Sequence, residues 1–100
     1  MNRIETLRAL AARTNKALHH YGLAMELRGT GDLAAARDVF AHIHQIDRSY
    51  VPAYFMRAQT LDELGQADEA RAALVAGIAI AEQNSDDHAA REMREMLDTL

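Results

Sequence analysis

The sequence predicts an all-α protein of antiparallel helix-turn-helix repeats, about six helices in a single domain. Three observations predict it. The chain resembles itself at an offset of 34 residues, because "GDLAAARDVF" at 31–40 returns as "GQADEARAAL" at 65–74. At that offset Ala24 meets Ala58, Leu27 meets Leu61, Gly31 meets Gly65 and Ala36 meets Ala70. Arg37 meets Arg71 and Ile46 meets Ile80, while Tyr21 faces Phe55 and Phe40 faces Leu74. Small residues fall on small and large apolar on large apolar, the signature of stacked structural repeats. Within each copy the apolar residues recur three and four apart, as on one face of a helix. The composition agrees: a single proline, and twenty alanines whose small side chains let helix axes come close.

Each element follows in order. Ile4, Leu7, Leu10 and Ala11 stripe a lead helix at about 2–13. A first repeat at about 17–50 opens with Leu23, Ala24 and Leu27 on one face. Thr30-Gly31-Asp32 then stops one helix and starts another, since glycine takes the left-handed cap and aspartate accepts from the free amides that follow. Leu33, Ala36, Phe40 and Ile43 face inward from the second helix, which Asp47-Arg48-Ser49 ends. A second repeat at about 51–84 starts with Pro52 in a first helical turn, where the missing N–H costs nothing. After Ser85-Asp86-Asp87, an N-cap signal, Ala89, Met93, Met96, Leu97 and Leu100 stripe a capping helix at about 86–99. Arg91, Glu92, Arg94, Glu95 and Asp98 give that helix the polar outer face a terminal cap needs.

These residues resemble the tetratricopeptide repeat, a helix-turn-helix unit of about 34 residues. His20, Ala24, Leu27, Gly31, Ala36 and Phe40 fit the pattern in the first copy. Tyr54, Ala58, Leu61, Gly65, Ala70 and Leu74 fit it in the second. "IDRSYVPAY" is similar to the junction between repeats, with Arg48 where proline is usual. Gly77 and Ile43 stand where a small alanine is commonest, so helix packing there is expected to be looser or shifted. The resemblance implies a right-handed α-solenoid whose first helices line a concave face that holds peptides or partner segments. On that face it places Leu18, Tyr21, Met25 and Arg28 in the first copy, and Phe55, Gln59, Asp62 and Glu63 in the second, with Tyr50 at the junction. The lysine and asparagine clamp of chaperone-binding relatives is not expected, because Tyr21, Met25 and Met56 occupy the matching places.

The resemblance thus implies a protein-protein interaction module taking a short peptide or helix. Two alternatives are a homo-oligomer or assembly subunit whose groove a neighbouring chain fills, and a histidine-dependent metal-binding protein. Catalysis is not expected. The chain has no cysteine, and its two serines, Ser49 and Ser85, both fall at junctions. His19 and His20 are adjacent and His42 and His44 two apart, whereas helical metal-ligand pairs sit three or four apart. No metal and no cofactor are therefore expected. A net charge of −4 argues against a nucleic-acid partner, which needs a basic face. The longest apolar run, Ala72 to Ala81, is far below the roughly 20 residues that span a bilayer, so no membrane association is expected. A soluble cytoplasmic protein, monomeric or weakly homo-oligomeric, is the default.

Overall fold

Six helices and no strand are described in the computed structural model, which covers residues 1–100. They are α1 (Arg3–Thr14), α2 (Ala17–Gly29), α3 (Leu33–Ile46), α4 (Val51–Glu63), α5 (Ala67–Gln83) and α6 (Asp87–Thr99). Each packs chiefly on the next in sequence, and α4 also touches α6, so the chain stacks into a slab of 41 × 28 × 19 Å. Asn2, Asp32 and Asp86 cap α1, α3 and α6 by accepting from the backbone amides of Glu5, Ala35 and Ala89. Such a bond satisfies one of the amides a helix start leaves free.

The core has two parts. One joins α2, α3 and the start of α4 around Leu23, Leu27, Phe40 and Ile43, with Ile4 and Leu7 of α1 packed against it. The other joins α4, α5 and α6 around Tyr54, Leu61, Leu74 and Met93. Ala24, Ala36, Ala58 and Ala70, which the 34-residue offset pairs, are all fully buried. A longer side chain at Ala36 or Ala70 would have to displace a packed helix, at roughly 1–3 kcal/mol.

The turns repeat as well. Gly31 and Gly65 adopt φ of +91° and +77°, and in each case the following amide reaches back to a leucine carbonyl. Asp32 N donates to Leu27 O at 3.0 Å and Gln66 N donates to Leu61 O at 2.9 Å. The end of α5 has the same bond, Asp86 N to Ala81 O at 2.8 Å, but the left-handed residue there is Ser85, at φ +56°. A serine holds that conformation against the clash of its Cβ, which glycine lacks. Ser85→Gly is therefore expected to stabilise the protein by about 0.5–1 kcal/mol after glycine's extra unfolded-state entropy is subtracted. A thermal melt that does not move upward would contradict it.

Packing at Gly77 departs from the sequence expectation. The helices there are tighter, not looser. A Cβ at Gly77 would lie 2.6 Å from Tyr54 Cβ and 2.6 Å from Met93 Sδ, so α5 has closed on its neighbours to a distance only a glycine permits.

The joint between the repeats carries an unusual group. His44 of α3 stacks on Tyr54 of α4, with ring centroids 3.8 Å apart. Both of its ring nitrogens are buried without a hydrogen-bond partner, as is Arg57 Nε. Burial, and then the charge of Arg57, push the His44 pKa down to about 4. Tyr54 is fixed from its other end, because its hydroxyl donates to Arg48 O at 2.8 Å.

Candidate interaction groove

Long side chains rather than close backbone packing join α2 to α4. At one end the Tyr21 ring lies 5.6 Å from that of Tyr50, which precedes α4, and 5.8 Å from that of Phe40. At the other end Arg28 donates to the Thr60 hydroxyl at 3.1 Å and forms an ion pair with Glu63. Thr60 is fully buried, and its hydroxyl donates in turn to Met56 O at 2.7 Å. Because Tyr21 precedes Arg28 as Tyr50 precedes Thr60, the two helices point the same way. The cavities of the molecule lie elsewhere, so the α2–α4 face, called the channel below, is an open surface.

Leu18 and Met25 are the exposed apolar side chains of α2, at 63 % and 37 % of their full accessible area. Gly22 lies between them on the same face, at the helical spacing of four and three residues. A Cβ at Gly22 would meet nothing within 4 Å, so no contact inside the molecule requires a glycine there. On α4, Phe55 and Gln59 are half-buried and Asp62 is exposed.

The nine sequence-derived positions thus divide by what they touch. Leu18, Met25, Gln59 and Asp62 are free to meet a ligand. Tyr21 and Tyr50 are half-buried in the first core part, and Phe55 packs against the second. Burial raises the phenol pKa of Tyr21, and the neighbouring Tyr50 raises it further. Arg28 and Glu63 are committed to each other, so Arg28 neutralises Glu63 and not Asp62, which enters no ion pair. Sequence reasoning missed Gly22 and Thr60. The only local signal for Gly22 was a glycine inside a helical run, which costs about 1 kcal/mol against alanine and so calls for a reason.

No three histidine, aspartate or glutamate side chains converge on one point. No helix is long and apolar enough to cross a membrane.

A family model described as tetratricopeptide repeat matches residues 27–93. No curated protein matches the chain in sequence. Among solved structures, a tetratricopeptide repeat domain protein from Salinibacter ruber superposes with a TM-score of 0.80 at 20 % identity, over 84 % of this chain and 85 % of that one. The type III secretion translocator chaperone SycD from Yersinia enterocolitica gives a TM-score of 0.88 at 16 % identity, over 97 % and 74 %. PcrH, in a complex with the chaperone binding region of PopD, gives 0.88 at 19 % identity, over 96 % and 74 %. At such identities these likenesses establish the fold.

Proposed function

The chain belongs to the tetratricopeptide-repeat family, and from that premise we propose that its α2–α4 channel binds a short apolar peptide or helix of a partner protein. One observation carries this reading: Leu18 and Met25 stand exposed on either side of a glycine that internal packing does not need. A glycine in that place lets a partner come close to the α2 backbone, with leucine and methionine gripping it from both sides. PcrH, similar in fold, holds a segment of a protein partner. With Arg28 spent on Glu63, Asp62 leaves the α4 end of the channel acidic, so the segment is apolar with a basic residue toward that end.

The structure also decides which variants test this. Tyr21→Ala and Phe55→Ala would remove core contacts together with any ligand contact. Leu18→Asp and Met25→Asp are cleaner, because both side chains already face water. The partner is retained on immobilised protein from native extract, its binding segment is reduced to a synthetic peptide, and the Kd is measured. Each aspartate variant is expected to weaken that peptide about thirtyfold, the scale of losing a buried interface anchor. Gln45→Ala, on the exposed side of α3, is expected to bind normally. Equal affinity for wild type and both aspartate variants would remove the channel as the working surface. If wild type dimerises on concentration and Leu18→Asp does not, the occupant is a second copy.

A further inference from the structure

A separate pocket of about 270 Å³ opens where α1, α2 and α3 meet. Its α2 residues, His20 and Leu23, leave that helix roughly opposite Leu18 and Met25 at about 100° per residue, so it is distinct from the channel. Ala11, Leu23 and Val39 give it an apolar floor, and Arg8, His20 and His42 stand around it. The two imidazole rings meet edge to face with centroids 5.1 Å apart.

The charges around the pocket are not balanced. Asp38 also lines it, but its carboxylate already accepts from Arg37 Nε at 2.9 Å. Arg8 takes part in none of the ion pairs. His20 Nε2 meets Asn15 Oδ1 at 3.1 Å, which fixes it as the donor nitrogen of that neutral ring. Burial lowers the His20 pKa, and the neighbouring His42 and His19 lower it further, so its charged form is disfavoured. The permanent charge without an ion-pair partner is the Arg8 guanidinium, beside an apolar floor. Such a site rewards a ligand carrying one negative group on a small apolar body, since guanidinium pairs with carboxylate in a planar, two-point contact.

We propose that this pocket binds a small monocarboxylate with an apolar body, the carboxylate on Arg8 and the body against Ala11, Leu23 and Val39. The volume is just under the range that drug-sized molecules fill, which sets the body near the size of one aromatic ring. The same chemistry occurs in a free organic acid and at the carboxyl end of a peptide with an apolar last residue.

The test is a titration at neutral pH followed by the ring resonances of His20 and His42 and the backbone amides of Leu23 and Val39. Benzoate is expected to shift these saturably in the millimolar range. Benzamide, of the same shape without the charge, is expected to bind markedly less well. A short peptide ending in leucine, with a free or an amidated carboxyl end, separates the two sources: binding of the free form alone admits the peptide, and binding of neither confines the site to free acids. Arg8→Gln is expected to weaken benzoate about fivefold, the upper scale for an exposed ion pair. Val75→Ala, exposed on α5 away from the pocket, is expected to leave benzoate binding unchanged. No saturable shift with benzoate, equal binding of benzamide, or an unaffected Arg8→Gln would each overturn the proposal. Zinc chloride alone is the last arm. Shifts of both histidines by zinc with none by benzoate would make the histidine pair a metal site instead.

Discussion

Gly77→Ala is expected to destabilise the protein by roughly 2 kcal/mol, while Gly22→Ala is expected to stabilise it by about 0.5–1 kcal/mol. The two substitutions are chemically identical and both occur inside helices, so propensity alone gives them the same sign. Their surroundings separate them. The new methyl group at residue 77 would fall 2.6 Å from both Met93 Sδ and Tyr54 Cβ. The methionine can swing aside, since its side chain is flexible. Tyr54 Cβ cannot, because it is bonded to the α4 backbone, and its ring is held by His44 on one face and by Arg48 O at its hydroxyl. Helix α5 must therefore back away from α4, which loosens Leu61, Leu74 and Ala58 together. Overpacking of this kind costs up to about 3 kcal/mol, and the helix propensity of alanine returns about 1. Around Gly22 there is open space, so only the propensity gain remains. Denaturant unfolding of both variants is the measurement, and two shifts of the same sign would show that local propensity outweighs packing here. Gly22→Ala has a second readout. Because the added methyl group projects into the proposed channel, the more stable variant is expected to bind the partner peptide less tightly.

How much of this was legible in the sequence varies with how local the cause is. The helices, the turns at Gly31 and Gly65, and the buried alanines follow from spacing, since a 34-residue offset fixes equivalent positions whatever the partner. Ser85 was read only as part of an N-cap signal, because its left-handed turn lies outside that register. Helix α5 runs for 17 residues against 14 in α3, so the third turn falls where neither glycine nor the repeat points to it. Gly77 was misread for a related reason. A smaller side chain signals either a gap or a close approach, and only the position of Tyr54 tells them apart. For the proposed channel, the repeat phase nominated Leu18 and Met25 but could not show that Arg28 is taken by Glu63, a contact across 35 residues. The pocket beside α1 was equally hidden. His20 and His42 come from different helices, and Arg8 lies outside the repeats altogether.

Acidification is expected to weaken the joint between the two repeats, and His44→Leu is expected to abolish much of that sensitivity. The equivalent position one 34-residue repeat later is Ile78, which packs against the second core part. His44 thus does an apolar residue's job with a ring whose two nitrogens find no partner. Its pKa falls from 6.5 to about 4 on folding, through burial and then the charge of Arg57. Above the unfolded value the imidazole is neutral in both states and the stability is fully present. As the pH falls from 6.5 toward 4 the unfolded chain takes up a proton that the folded chain does not, so stability falls steadily. Below about 4 both states are charged and this contribution is exhausted. Since each pH unit of such a difference is worth about 1.4 kcal/mol, the loss across the window is at most about 3 kcal/mol, less to the extent that the half-buried ring keeps some solvent. His20, also lowered, adds loss in the same direction, but it is present in wild type and variant alike and cancels between them. At neutral pH His44→Leu gives up the stack on Tyr54, worth about 1 kcal/mol, and removes two unsatisfied buried nitrogens that cost about as much or more. Wild type and variant should therefore be similar near neutrality and diverge as the solution is acidified, the variant becoming the more stable. Urea unfolding of both proteins through that range measures the divergence, and parallel stability curves would mean that His44 reaches solvent and is protonated in place.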